Sequence, residues 1–207
     1  MYHPVGISKD RAMFFSDAIF AIAMTIMVLQ LRHPVGHDWA SLSGVWPSLG
    51  AYALAFVSVG TYWVNHHHVM EVVVNITGPV LWLNLILLFW ISMIPYATQW
   101  VGDSHFTALP VSGYAFVSLM CSISFAILTF ALQACDPAHT VLAEAIGTGR
   151  KEKASLAGHA LSIALPFAGE WGACGALLIM AALALMWFIP DVRIERTLRS
   201  KDAVDGR

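Results

Sequence analysis

Six long apolar runs, separated by short polar stretches, set the pattern of this chain. They fall at about residues 13–31, 45–66, 80–96, 111–133, 154–169 and 173–189. A helix that crosses the hydrocarbon core of a bilayer needs roughly 20 apolar residues. The pattern therefore predicts an all-α integral membrane protein of six transmembrane helices, one domain over residues 1–207. The fifth run is short and contains Pro166. A five-span layout with one surface or re-entrant segment is the alternative. The first run is about a full span long and lacks a convincing cleavage site, so it reads as a first transmembrane helix and not a signal peptide.

Charge gives the orientation. If the N-terminus is cytoplasmic, the inner side receives Lys9, Arg11, Arg150, Lys151, Lys153, Arg193, Arg196, Arg199, Lys201 and Arg207, and the outer side only Arg32. That is the positive-inside bias, and it requires an even number of spans with both termini cytoplasmic. The expected location is the inner (plasma) membrane. Trp39, Trp46, Trp100, Trp171 and Trp187 lie near predicted span ends, as in an aromatic belt. Residues 136–153 form the one sizeable inner loop, in which 141–146 suit a short surface helix.

Composition agrees. Hydrophobic residues make up 58% of the chain and charged residues 12%, where a soluble domain carries about a quarter charged. There is no Walker loop, dinucleotide fingerprint or soluble domain for recognising a nucleic acid. Cys121, Cys135 and Cys174 show no paired spacing, and the first and last sit in apolar runs as small hydrophobes.

Ionisable residues within a span are costly unless partnered or hydrated, which makes Asp17 informative. Arg11 is placed at the inner interface, where its side chain can snorkel. At 100° per residue, Asp17 shares a face with Ala21, Met24 and Val28, while Ile22, Thr25, Ile26 and Leu29 form an apolar stripe on the other side. That stripe suits lipid, a neighbouring helix or a symmetry axis. The second run ends in Tyr62-Trp63-Val64-Asn65-His66-His67-His68. Successive side chains on a helix point about 100° apart, so the three histidines cannot converge on one ion, and no tightly bound metal is expected. A hydrogen bond from His66 or His67 to Asp17 is the more natural role, with Asn84 in the same cluster.

The segment Arg11-Ala-Met-Phe-Phe-Ser-Asp17, opening the first helix, resembles the signature of a known family: the bacterial relatives of the lysosomal and endosomal potassium channel transmembrane protein 175. Tyr62-Trp63 and His66-His67 resemble its second helix, and Asn84 through Pro95-Tyr96 its third. The last three runs add little specific signal. The resemblance implies a homotetramer of six-helix subunits, with the first helices around a central pore. It implies an apolar constriction at Ile22, Ile26 and Leu29, with Thr25 contributing to preference for potassium over sodium. It also implies a structural polar network of Arg11, Ser16, Asp17, Trp63, His66, His67 and Asn84. Many relatives carry leucines where this chain has Ile26 and Met27, and branching at Cβ makes Ile the stiffer choice.

The expected function is thus passive, potassium-selective conduction, with no chemical step and no cofactor beyond potassium as the permeant ion. The expected partners are other copies of the chain, membrane lipid and potassium ions, with no nucleic acid. Dry apolar rings gate by dewetting. A secondary transporter or proton-coupled carrier is the alternative, although inverted repeats and broken helices are not evident. An intramembrane enzyme lacks a nucleophile and oxyanion donors beside Asp17.

Overall fold

In the computed structural model, residues 9–73, 76–135, 149–169 and 171–188 are described. They form seven α-helices and one short 3-10 turn: α1 Lys9–Leu29, α2 Trp39–Ser43, α3 Trp46–Val72, α4 Gly78–Asp103, α5 Ala108–Cys135, α6 Arg150–Ala164, the turn Leu165–Phe167, and α7 Gly172–Phe188. The suggested surface helix at 141–146 and the C-terminal basic cluster lie outside the described residues.

Helix length is set by local breakers. Pro47 and Pro79 occupy first-turn positions of α3 and α4, where a missing N–H costs nothing. Pro166 ends α6 in the 3-10 turn. The five-residue α2 is capped by Asp38, whose carboxylate accepts the Ser41 backbone N–H at 2.8 Å. Hydrogen bonds from Ser41, side chain first and backbone second, hold that carboxyl below its usual range. Pro95 lies inside α4 and removes one backbone donor there.

Apart from α2, successive helices alternate in direction. Lys9 Nζ donates to the Glu71 carbonyl at 2.7 Å, bringing the start of α1 to the end of α3. Thr77 and Cys135 meet at 3.5 Å where α4 begins and α5 ends. Trp187 Nε1 donates to Ser155 Oγ at 2.7 Å, so the end of α7 lies beside the start of α6. At the opposite end, Arg32 pairs with Asp103 at 3.0 Å.

The helices α1, α4 and α5 are long and apolar enough to cross a membrane by length and composition. The polar run from Asn65 to His68 lowers the hydropathy of α3, and α6 and α7 have only 15 and 17 residues. Several elements exceed the predicted runs: α3 continues six residues past His66 and α4 seven past Tyr96, because capping and packing set helix ends while apolar composition marks only the middle.

The core gathers around α5, with Val111, Ala115, Cys121 and Leu132 fully buried. Small residues permit the closest crossings. A Cβ on Gly102 would meet the Ser48 Cα at 2.8 Å, so α4 approaches α3 backbone to backbone. A Cβ on Gly158 would lie 2.8 Å from Leu183 Cδ1 where α6 crosses α7.

Candidate ion pathway and its supporting network

Helix α1 buries Ala12, Ser16, Phe20, Ala23 and Met27, an i, i+4, i+8, i+11, i+15 stripe that fixes which side faces the subunit interior. The other side is exposed, and large apolar residues sit on it: Ile22 is 51%, Ile26 41% and Leu29 82% exposed. Thr25 is also exposed, and its hydroxyl lies 2.9 Å from the Ala21 carbonyl and 3.0 Å from that of Ile22. Its hydrogen is therefore directed into its own helix, which leaves the oxygen lone pairs as the outward-facing polar feature.

Two hydrogen-bond systems on the inward side fix the rotation of α1. In the first, Asn84 Nδ2 donates to Ser16 Oγ at 2.9 Å, and Asn84 Oδ1 lies 2.8 Å from His66 Nε2. All three residues are buried. Since Asn84 Oδ1 is an acceptor, His66 Nε2 carries the hydrogen. Ser16 in turn donates to the Ala12 carbonyl at 2.8 Å. One amide thus ties α1, α3 and α4 together, and Phe20 packs against the His66 ring at 5.5 Å between centroids.

The second system corrects an expectation. Asp17 accepts from Trp63 Nε1 at 2.9 Å, in place of a bond from His66 or His67. The reason is angular: His66 turns into the bundle toward Asn84, while Trp63, three residues earlier, reaches the rim where the half-buried Asp17 sits. His67 stacks on Trp63, with centroids 6.2 Å apart and planes at 30°. Asp17 is also not opposite the apolar stripe. The buried face centres on Ser16, Phe20 and Ala23, so Asp17 lies at its edge, with Ala21 and Val28 exposed beside it. Met24 is half-buried and faces α3, its methyl carbon 3.8 Å from where a Cβ on Gly60 would stand. Arg11 is exposed on the first turn of α1.

Among the described residues, no group of three His, Cys, Asp or Glu is arranged to hold a metal ion. The ring centroids of His67 and His68 are 6.0 Å apart and tilted by 55°, as expected for neighbours on a helix.

A second polar cluster was not legible in the sequence. Between α3, α5, α6 and α7, Tyr62 Oη lies 2.8 Å from Ser122 Oγ, and Ser122 Oγ lies 3.0 Å from His159 Nδ1. Trp187 forms part of the wall of this cavity and is half-buried, unlike the exposed Trp39, Trp46 and Trp171. The available signal was the i, i+3, i+7, i+10 spacing of Glu152, Ser155, His159 and Ser162, which places these four polar residues on one face of the helix.

Comparison with known proteins agrees with the signature at Arg11–Asp17. The model of the family described as "Endosomal/lysosomal potassium channel TMEM175" matches residues 11–95. A protein named as a potassium channel from Chryseobacterium sp. (strain P1-3) is 42% identical over 192 residues, covering 93% of this chain and 98% of its own. The human endosomal/lysosomal proton channel TMEM175 is 29% identical over 138 residues, which are 61% of this chain and 27% of the human protein. The crystal structure of a lysosomal potassium-selective channel TMEM175 homolog from Chamaesiphon minutus superposes with a TM-score of 0.73 at 27% identity, covering 86% of this chain and 97% of that one. With its apolar helices, its all-helical fold and a relative matched along almost its whole length, this chain is a membrane protein and belongs to the TMEM175 family.

Proposed function

We propose that this protein is a potassium-selective channel in which the α1 helices of four copies surround one pore. The observation that carries this reading is the two-sidedness of α1. Its inward face is pinned by the Asn84 and Trp63 hydrogen bonds, while Ile22, Thr25, Ile26 and Leu29 remain exposed on the other. Four-fold closure of one helix per subunit encloses a path. Rings at Ile22, Ile26 and Leu29 then stack about 6 Å and 4.5 Å apart along the axis. An ion strongly prefers hydration to an apolar surround, so closed rings resist conduction without an occluding charge. A slight widening admits partly hydrated potassium, with the Thr25 oxygens as the polar contact on the way. Conduction runs down the electrochemical gradient, without a chemical step. Asp17, held by Trp63 at the edge of the buried face, acts as an anchor.

In this reading α1, α3, α4, α5, α6 and α7 are six spans of a plasma-membrane protein with both termini cytoplasmic. The alternating helix directions support it, because Lys9, Arg11, Arg150, Lys151 and Lys153 gather at one end of the bundle and Arg32 at the other.

A liposome flux assay with opposed potassium and sodium gradients, paired with crosslinking to count subunits, tests the proposal. Potassium flux in excess of sodium flux from a four-subunit species is expected. Equal permeation of both ions, or flux from a monomer, refutes it. Relatives from animals are named as proton channels, so a pH-sensitive dye in the same liposomes measures whether protons also pass.

A further inference from the structure

The cavity between α3, α5, α6 and α7 has room of about 50 Å³ for water, and none of its lining residues belongs to α1. A water needs roughly 10–15 Å³ of such space and two to four polar partners. Both are present. Tyr62, Ser122 and His159 form a continuous hydrogen-bonded chain, and Tyr114 Oη is buried without a hydrogen-bond partner. Ser58 and Ser118, whose own hydrogens go to the Leu54 carbonyl at 2.8 Å and the Tyr114 carbonyl at 2.9 Å, lie near it with their oxygens as acceptors but outside hydrogen-bond geometry. An orphaned hydroxyl in a dry apolar core costs roughly 1–3 kcal/mol, whereas water in the adjoining space satisfies it.

We propose that this cavity is a hydrated proton-binding site in which His159 takes up a proton from the aqueous phase beside Glu152. Glu152 and His159 both line the cavity. Seven residues apart on α6, they share one face about 10 Å apart along the axis. Glu152 is half-buried near the start of the helix, while His159 is 8% exposed. The path from solvent to the imidazole therefore follows this face.

The proton balance closes within the cavity. With a hydrogen on Nδ1, His159 donates to Ser122 Oγ, Ser122 donates to Tyr62 Oη, and Tyr62 donates toward the Ser118 carbonyl 3.5 Å away. The lone pair then sits on Nε2. Hydronium in the cavity gives up one O–H bond, a new N–H bond forms at Nε2, and neutral water remains. The chain of hydroxyls is already oriented to accept from the imidazolium. The titratable or charged groups around it are Tyr62 on α3, Tyr114 and Cys121 on α5, and Glu152 with Lys151 on α6, the latter over the Trp187 ring at 5.6 Å. The lining residues from α4 and α7 are Ile94, Met180, Leu183, Ala184 and Trp187, none of which titrates. Among all of these, the imidazole is the side chain that becomes a cation by taking up a proton on acidification.

This assignment does not depend on conduction, so it is tested without a flux measurement. Protein labelled with ¹⁵N in its imidazoles is placed in lipid nanodiscs and titrated by NMR between about pH 7.5 and 3. Expected is a reversible titration of one imidazole that is missing in His159→Gln and whose Nδ1 resonance is displaced in Ser122→Ala. Should His159→Gln fail to fold, displacement by Ser122→Ala and by Tyr62→Phe assigns the same ring. An imidazole so assigned that keeps one protonation state throughout, in folded protein, overturns the proposal. Tyr114→Phe tests the hydration. A melting midpoint that is unchanged or lowered agrees with a water-satisfied hydroxyl, whereas a raised midpoint means a dry cavity and overturns it.

Discussion

Helices α1 and α5 are about equally apolar, yet in its most apolar stretch α1 has 28% of its residues buried and α5 56%. Hydropathy states that a helix tolerates hydrocarbon, not where it sits. What separates the two is the kind of residue on the remaining face. Around α5, other helices of the same subunit complete the packing, and Ser118, Thr129 and Ser122 find their partners in backbone carbonyls or in the cavity. Helix α1 turns its polar groups, Ser16 and Asp17, toward α3 and α4 and leaves bulky apolar side chains outside. In the proposed reading, one helix is scaffold and the other a working surface mounted on it.

The largest effect on stability is expected at the joint that mounts α1. Asn84→Ala removes both hydrogen bonds of the buried amide and strands Ser16 and His66. Two such losses cost about 3 kcal/mol, and the rotation of α1 is no longer fixed. Thermal unfolding in micelles should show a large drop, with failure of subunit assembly on crosslinking. Native stability in that variant would mean that packing alone orients α1.

Leu128→Ala takes the comparison to α5. Leu128 is buried in the core, so truncation costs about 3 kcal/mol through a cavity. The proteins that survive should retain wild-type potassium-to-sodium preference, because none of the proposed pore residues has changed. Ile22→Ala should reverse that outcome. Ile22 is half exposed in the subunit, so its stability cost should be under about 1 kcal/mol, while leak rises and cation discrimination falls. Unchanged conduction and selectivity in Ile22→Ala and Leu29→Ala, with normal assembly, sinks the pore assignment.

The contrast also explains what the sequence made legible. Each of the six apolar runs coincides with a helix, and three of those helices are long and apolar enough to cross a membrane. The Arg11–Asp17 signature pointed to the network, and Ser16, Asn84 and His66 do meet. Partner choice was less legible, since a wheel drawn on one helix has no knowledge of which neighbour comes closest. Asp17 therefore went to Trp63 and not to a histidine. The cavity was missed for a related reason. Ser122, Tyr62 and His159 come from three helices, each nondescript alone, and only packing brings them within hydrogen-bond distance.

A smaller effect is expected from Asp17→Asn. The amide oxygen still accepts from Trp63, but the bond is no longer charge-assisted, at a cost of about 1 kcal/mol. Assembly or open probability should fall while ion preference holds. A well-assembled variant with normal opening and altered selectivity would move Asp17 from anchor to ion contact.

The smallest effect belongs to Met24→Ala, which makes it the control for the stripe. Met24 lies two residues from Ile22 and one from Thr25, so a general disturbance of α1 would register there as well. Its side chain, however, is half-buried against Gly60 of α3, where the lack of a side chain on the glycine admits the methionine's methyl carbon. Truncation opens a shallow space that flexible neighbours can partly fill, so the cost should stay at about 1 kcal/mol, below that of a fully buried methionine. Permeability ratios should match the wild type, because nothing on the exposed face has moved. If Met24→Ala lowers potassium selectivity as much as Ile22→Ala does, selectivity depends on the packing of α1 as a whole. The distinction between an inward mounting face and an outward conducting face then fails at the residue best placed to defend it.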